Sequence, residues 1–179
     1  GVVTELKYFS DVVEMYSIDE AFLDLNFFII NYTEYGLLIK DTILRHLDLP
    51  VGIGIAPTKA LCKVASKIAK TFIEKTKGVY AIDTEERRVK ALKWIKIEDV
   101  WGIGRQFARK LQSMKILKAF QFTQLSDSWV LKNMTVVGLR LKKELEGVSC
   151  LSLSEVNDPK KEIGTAKAFG SMLSDYELI

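Results

Sequence analysis

The sequence predicts an α+β fold: a β-sheet with covering helices, followed by a small all-α unit. Over residues 1–83, short apolar runs of strand length alternate with apolar residues at helical spacing. Residues 84–150 show helical spacing and carry 14 basic against 7 acidic side chains, whereas residues 1–83 carry 9 and 11. A basic block beside the acidic pair Asp19 and Glu20 suits a protein that holds nucleic acid in one part and does metal chemistry in another, although a solvated helical surface would show the same charge.

The first predicted elements are a short amphipathic helix over residues 1–10 and a β-hairpin around Asp19 and Glu20. The apolar residues on both sides of the two acids predict buried strands that meet near them. Because adjacent strand residues point to opposite faces, a turn or bulge is needed to bring both carboxylates to one site. Such a site could hold a hard divalent cation. The alternative is a solvated Asp-Glu turn.

A small α/β layer is predicted next, from a helix over 33–47, a buried strand over 51–56, a helix over 59–72 and a strand over 78–82. Two glycines alternate in the buried strand and predict close packing of a neighbour rather than a phosphate loop. The second helix carries a lysine stripe, for which solvent exposure is the alternative to a binding role. The stripe consists of Lys59, Lys63, Lys67 and Lys70.

A helix-hairpin-helix pattern lies over residues 97–111, after a predicted helix over 85–93. Two glycines around one isoleucine allow a tight turn with open backbone amides and an apolar plug. Open amides at a helix N-terminus bind phosphate without reading the base sequence. The alternative is an ordinary helix-loop-helix corner. The DNA-binding residues predicted here are Gly102, Ile103, Gly104, Arg105 and Arg109.

The C-terminal third gives weaker signals. Two helices are predicted over 126–147, divided near Asn133. Residues 136–147 fit either a second, weaker phosphate-binding hairpin or an ordinary part of these helices. Residues 151–162 have the composition of a linker. Residues 163–171 alternate as one strand, and a lone strand is not stable, so it must pack elsewhere or remain mobile.

The cysteine and hydropathy patterns predict a cytoplasmic protein. Cys62 and Cys150 lie far apart without metal-ligand spacing and are expected to be reduced thiols. No apolar run approaches the ~20 residues of a membrane span, and no leader pattern is expected at the start.

Two stretches resemble a known family. Ser-Ile-Asp-Glu-Ala-Phe-Leu-Asp at residues 17–24 resembles the second acidic motif of the Y-family translesion DNA polymerases, and residues 51–70 resemble the last part of the palm domain of that family. The resemblance implies that Asp19 and Glu20 are catalytic ligands of two Mg²⁺ ions. It also implies that Lys70 binds the triphosphate of the incoming nucleotide, a role that suits a mobile point charge.

Within the family, the sequence most resembles the UmuC type. The segments that carry this resemblance are Val-Trp-Gly-Ile-Gly-Arg at residues 100–105 and Phe169-Gly170. This implies an error-prone polymerase of the SOS response to DNA damage, which extends primer–template DNA with deoxynucleoside triphosphates. A UmuD-like subunit and a recombinase filament are the protein partners that it implies.

The resemblance also implies a domain division and a limit on activity. The expected units are the C-terminal part of a palm (1–83), a helical thumb with the helix-hairpin-helix (84–150), a linker (151–162) and the first strand of a truncated little-finger domain (163–179). The opening Asp-x-Asn motif and the fingers domain of the family are not found. The chain is therefore expected to be an internal part of such a polymerase, to bind Mg²⁺ weakly and to be inactive alone.

Two other functions fit parts of the sequence. A non-catalytic helix-hairpin-helix DNA-binding module needs only the basic block and the turn at Gly102 to Gly104. A palm-fold nucleotidyl cyclase also uses a carboxylate hairpin and two metals, but the helix-hairpin-helix pattern argues against it.

Overall fold

The computed structural model describes residues 1–10, 13–17, 19–25 and 31–150, and the backbone of residues 169–174. Its mixture of strands and helices confirms the α+β class. The elements are α1 (Val2–Leu6), β1 (Val13–Met15), β2 (Glu20–Asp24), α2 (Tyr32–Leu47), β3 (Val51–Ala56), α3 (Lys59–Thr71), α4 (Ile73–Thr76), β4 (Val79–Ala81), α5 (Glu85–Trp94), a 3₁₀ helix (Ile97–Asp99), α6 (Arg105–Ser113), α7 (Ala119–Thr123), α8 (Asp127–Leu145) and β5 (Phe169–Ser174).

The strands that are described form one sheet, in the order β1-β2-β5-β3-β4. β1 and β2 are the predicted antiparallel hairpin, with Val13 opposite Leu23. β3 and β4 are parallel, as expected for a connection through α3. β5 lies in the middle of the sheet, antiparallel to both β2 and β3.

The strand predicted over residues 163–171 lies mostly outside the described residues. Its last three residues begin β5, which continues to Ser174. This part of the tail therefore packs in the same sheet as the hairpin. Its assignment to a separate little-finger domain stays a prediction.

Glycines allow a helix to lie close to the sheet on each face. A Cβ on Gly54 of β3 would lie 2.3 Å from the Ser66 nitrogen and 2.4 Å from the Cys62 oxygen of α3. On the other face, a Cβ on Gly36 of α2 would lie 2.5 Å from Val79 Cγ1. The close packing predicted from the strand glycines is confirmed at Gly54.

Two hydrophobic clusters meet at the sheet. One fills the space between the sheet, α1 and α2, and includes Leu6, Leu23, Ile39, Ile43 and Ile53. The other joins α3 to the helices after residue 84, and includes Leu61, Val64, Leu92, Phe122 and Leu145. The helical unit thus shares a core with α3. No described helix is both long and apolar enough to span a bilayer.

Helix α8 folds back on itself. Thr135 has φ 63° and ψ −174°, which interrupts the helix. Asp127 and Lys142 would be separated by ~22 Å along a straight helix at 1.5 Å per residue. Lys142 Nζ nevertheless lies 2.7 Å from Asp127 Oδ1. The two helices predicted over 126–147 are therefore confirmed, with the break two residues after Asn133.

The close approach at Gly54 can be tested by adding one methyl group. Gly54→Ala should lower the free energy of unfolding by about 1–3 kcal/mol, because the methyl group would overlap the α3 backbone. Gly104→Ala is a matched control: no described atom lies within 4 Å of its Cβ position. Because Gly104 is the N-cap of α6, where glycine is preferred to alanine, this control should cost about 1 kcal/mol or less. Equal urea midpoints for Gly54→Ala and the wild type would contradict the packing.

Candidate metal and nucleic-acid site

The loop of the β-hairpin places Asp19 and Glu20 at a tight turn. The backbone N–H groups of Tyr16 and Ser17 both donate to the Glu20 carbonyl oxygen, at 3.0 and 3.2 Å. The Ser17 hydroxyl donates to Asp19 Oδ1 at 2.7 Å, which orients that carboxylate. The two acids thus lie at the junction of the strands, as the sequence predicted.

Helix α3 presents two lysines to the acidic side chains of the hairpin. Lys59 Nζ lies 2.9 Å from Glu14 Oε2, and the Lys63 ammonium donates to the Glu20 carboxylate. The lysine side chains are only 8% and 18% exposed. Each carboxylate therefore has a counter-charge supplied by α3.

The solvent-exposed interpretation of the lysine stripe is wrong for Lys59 and Lys63. Lys67 is 42% exposed, and its Nζ lies 3.2 Å from Asp99 Oδ2. Lys59 and Lys63 thus connect α3 to the hairpin, and Lys67 connects it to the 3₁₀ helix. Helical spacing alone could not reveal these partners, because they lie on other elements.

The sheet register places Glu20 and Lys70 toward the same end of the sheet. Glu20 on β2 lies opposite Leu173 on β5, which lies opposite Gly52 on β3. A Cβ on Gly52 would lie 3.5 Å from both Cγ and Cε of Lys70. With neighbouring strands ~4.8 Å apart, the Glu20 and Gly52 backbones are ~10 Å apart. Glu20, Leu173 and Gly52 thus lie in a row across β2, β5 and β3, and Lys70 lies over the Gly52 end of this row.

The chemistry of Asp19 and Glu20 suits a hard divalent cation, because Mg²⁺ prefers carboxylate oxygens. Within the described ranges, no group of three or more histidine, cysteine, aspartate or glutamate side chains could hold a metal ion. The two acids thus offer part of a coordination shell. Mg²⁺ is commonly bound through one or two carboxylates, with waters and substrate phosphates as its other ligands.

The turn before α6 has the geometry of an open helix start. Gly102 has φ +94°, a conformation that glycine adopts without strain. The Ile103 side chain is 8% exposed and belongs to the core, as expected of an apolar plug. α6 begins at Arg105, and the first N–H groups of a helix have no partner within it. No described atom lies within 4 Å of the Cβ position of Gly104, so the approach to these groups is open.

Basic side chains flank this turn. Arg105 and Arg109 are exposed. Neither forms a hydrogen bond or ion pair with the residues that the structure describes. Both guanidinium groups are thus available to an anionic ligand that approaches the start of α6.

A tyrosine–tryptophan hydrogen bond connects the turn to the hairpin. Trp101 Nε1 donates to the Tyr16 hydroxyl at 2.9 Å, and the two rings meet edge to face with centroids 5.7 Å apart. Lys63 Nζ lies 5.3 Å from the Tyr16 ring centroid. The acid pair, α3 and the turn are therefore neighbours in space. Sequence reasoning missed this bond because its partners are 85 positions apart.

A second connection that sequence reasoning missed is the buried Glu144 of α8. Its side chain accepts hydrogen bonds from the backbone N–H of Ala60 at 3.1 Å and of Cys150 at 2.7 Å. Its carbonyl oxygen accepts from the Thr58 hydroxyl at 2.8 Å. Glu144 is 0% exposed. The end of α8 is thus bonded to the N-terminus of α3, where a negative charge is favourable.

Several known proteins are similar to this chain in sequence. Residues 2–67 match the family model described as impB/mucB/samB, and relatives are similar over nearly the whole chain. The chain is 39% identical to Protein UmuC of Salmonella typhimurium, over 98% of this chain and 42% of UmuC. Over residues 2–67 the chain is thus similar to the impB/mucB/samB family. It is also 30% identical to DNA polymerase IV of Saccharolobus solfataricus, over 91% of this chain and 45% of that protein.

Solved structures of related proteins share the fold. A Dbh ternary complex with partially disordered substrates matches with a TM-score of 0.64 and 28% identity, over 81% of this chain and 43% of the Dbh chain. DinB from Sulfolobus solfataricus matches with a TM-score of 0.63 and 28% identity, over 81% and 42%. The resemblance to the Y-family polymerases is thus confirmed. The chain spans less than half the length of each of these relatives.

The bond between Glu144 and α3 can be tested by truncation. Glu144→Ala should lower the free energy of unfolding by about 3 kcal/mol, because the Ala60 and Cys150 N–H groups lose their acceptor. Glu86→Ala is the control: it removes an exposed acid without a partner in the described residues, and should cost less than about 0.5 kcal/mol. Similar losses for the two variants in urea unfolding would show that Glu144 does not hold the helices together.

The parts of α8 before and after Thr135 should separate more easily at low pH. Hydrogen bonds from Lys142 and Lys143 lower the pKa of Asp127 from 3.8 to about 2. A lowered carboxyl pKa contributes stability above the unfolded value, and that contribution is lost as the pH falls from about 4 toward 2. Asp127→Asn should therefore lower the melting temperature at neutral pH but not near pH 2. If the melting temperatures of Asp127→Asn and the wild type differed by the same amount at every pH in this range, the ion pairs of Asp127 with Lys142 and Lys143 would be contradicted.

Proposed function

We propose that this chain forms part of the active site of an error-prone translesion DNA polymerase, in which it holds a divalent cation and grips the phosphates of primer–template DNA. The observation that carries the proposal is the Tyr16–Trp101 hydrogen bond, which joins the acidic hairpin to the open turn before α6. The match of residues 2–67 to the impB/mucB/samB family supports the reaction class.

Asp19 and Glu20 are the proposed cation ligands. A bound Mg²⁺ would activate the 3′-hydroxyl of the primer and would neutralise negative charge on the triphosphate and on the departing pyrophosphate. Lys63 now supplies the positive charge at Glu20, so a metal ion at this carboxylate must compete with it. Lys70, over Gly52, is the proposed ligand of the triphosphate of a deoxynucleoside triphosphate.

The turn at residues 102–104 is the proposed DNA contact. The free N–H groups at the start of α6 would donate to phosphate oxygens, and the positive end of the helix would favour the same anion. Arg105 and Arg109 would add charge-assisted contacts to neighbouring phosphates. Such contacts bind the backbone of DNA and carry no base sequence information.

The chain alone is proposed to be inactive, because its described residues provide only two adjacent carboxylates for the cation. This observation also favours a second candidate, a non-catalytic DNA-binding module that uses the turn and not the acids. Cation binding at Asp19 and Glu20 distinguishes the two functions. A UmuD-like subunit and a recombinase filament are proposed partners, on the similarity to UmuC.

DNA binding should depend on the open backbone at Gly104. Gly104→Val should weaken binding of a labelled primer–template by about tenfold or more, because the side chain would cover the helix start without disturbing the fold. Fluorescence anisotropy at several salt concentrations should also show a steep loss of wild-type affinity as salt rises. Unchanged affinity in Gly104→Val, with a normal melting temperature, would exclude the turn as the contact.

Cation binding should improve when the competing ammonium is removed. Lys63→Met should raise the affinity for Mn²⁺ several-fold, measured from the free-ion signal in electron paramagnetic resonance. Glu20→Gln should abolish that binding, because an amide cannot replace the carboxylate charge. Lys132→Met, which removes an exposed lysine of α8, is the control and should leave the affinity unchanged. Equal affinities for Lys63→Met and the wild type would show that Lys63 does not compete at the site.

A further inference from the structure

A second concave surface lies away from the acid pair and the turn. It is formed by the C-terminal end of α3, by α4, by β4 and by α5, with a cavity of about 290 Å³. We call it the Phe72 groove. The residues that define it are Ile68, Phe72, Lys75, Lys90, Ala91 and Trp94. Phe72 lies nine residues beyond Lys63, or ~14 Å along the axis of α3.

The floor and one wall of the groove are apolar. Ile68 and Ala91 are buried at its base. The rings of Phe72 and Trp94 pack together with centroids 5.5 Å apart and an interplanar angle of 56°. Phe72 is nevertheless 40% exposed, and the neighbouring Ile73 is 48% exposed. Large apolar side chains that stay exposed beside a concave surface are typical of a binding site.

The rim of the groove is positively charged. Lys75 of α4 and Lys90 of α5 line it from two different elements, and both are exposed. In the described part of the chain neither forms a hydrogen bond or an ion pair, whereas Lys59 and Lys63 are each paired with a glutamate. The lining contains no acidic side chain. The groove thus combines an apolar floor with two available cations.

We propose that the Phe72 groove binds a peptide segment of a partner protein, in which one aromatic or branched aliphatic side chain is flanked by carboxylates. An apolar anchor in a pocket with a charged rim is the usual arrangement of a protein interface. The anchor would fill the cavity between Trp94 and Ala91. The flanking carboxylates would pair with Lys75 and Lys90.

The geometry favours a peptide over single-stranded nucleic acid, which would also suit lysines beside aromatic rings. Bases stack on open ring faces, but Phe72 and Trp94 tilt against each other and share their contact area. The cavity, of about 290 Å³, is slightly smaller than the ~300–1,000 Å³ of most small-molecule sites and has room for one aromatic or branched aliphatic side chain.

The proposal can be tested by nuclear magnetic resonance on the ¹⁵N-labelled chain. The probe is the acetylated peptide Glu-Glu-Phe-Glu-Glu, and the signal followed is the indole N–H of Trp94, with that of Trp129 as an internal reference. We expect a saturable shift at Trp94 only. Lys90→Glu should weaken binding by at least about fivefold, since it replaces an attractive charge pair by a repulsive one. Lys132→Glu, a matched reversal of an exposed lysine on α8, should leave the affinity unchanged.

Matched peptides and a nucleic-acid probe complete the test. Glu-Glu-Ala-Glu-Glu and Lys-Lys-Phe-Lys-Lys should both bind much more weakly, because one lacks the anchor and the other the carboxylates. The proposal is overturned if either binds as well as the first peptide, or if no peptide shifts Trp94. A stronger Trp94 shift with oligothymidylate would assign the groove to nucleic acid instead. A shift that depends on protein concentration alone would assign it to a second copy of this chain.

Discussion

The burial of helix α3 is the constraint on which the rest of the structure depends. Gly54 lets the backbone of α3 lie directly on β3. The opposite side of α3 completes the core of the helical unit. Hydrogen bonds from Thr58 and Ala60 to Glu144 fix its N-terminus to the end of α8. The buried Glu144 carboxylate needs donors such as the Ala60 and Cys150 N–H groups, because an unsatisfied buried charge is costly. The sheet and the helical unit are thus held by the same helix.

This placement explains why acids and lysines meet at the hairpin. A helix that lies on the sheet must direct some side chains at the neighbouring strands, and α3 directs Lys59 and Lys63 at Glu14 and Glu20. Desolvation makes such pairs weak contributors to stability. Their consequence is local, because they counter the negative charge of the hairpin. The Tyr16–Trp101 hydrogen bond places the open turn before α6 next to the same hairpin.

Local sequence signals predicted the elements, and long-range contacts could not be predicted. The hairpin and α3 follow from apolar periodicity and from the cap at Thr58, whose hydroxyl accepts from the Leu61 N–H. Glu144 gave no signal, because a glutamate among the charged residues of a helix resembles any surface acid. The bond between Trp101 and Tyr16 and the position of β5 depend on residues far apart in the chain. Family resemblance identified Asp19 and Glu20 as a pair, but only the fold shows that Lys63 reaches one of them.

We expect a cation at Asp19 and Glu20 to lie beside the turn that precedes α6. The most direct test is to add substoichiometric Mn²⁺ to the ¹⁵N-labelled chain and follow the three tryptophan indole signals. A paramagnetic ion broadens nearby nuclei, so the Trp101 signal should disappear first, while those of Trp94 and Trp129 persist. Glu20→Gln should restore the Trp101 signal. Equal broadening of all three tryptophans, or selective loss that survives Glu20→Gln, would contradict the account.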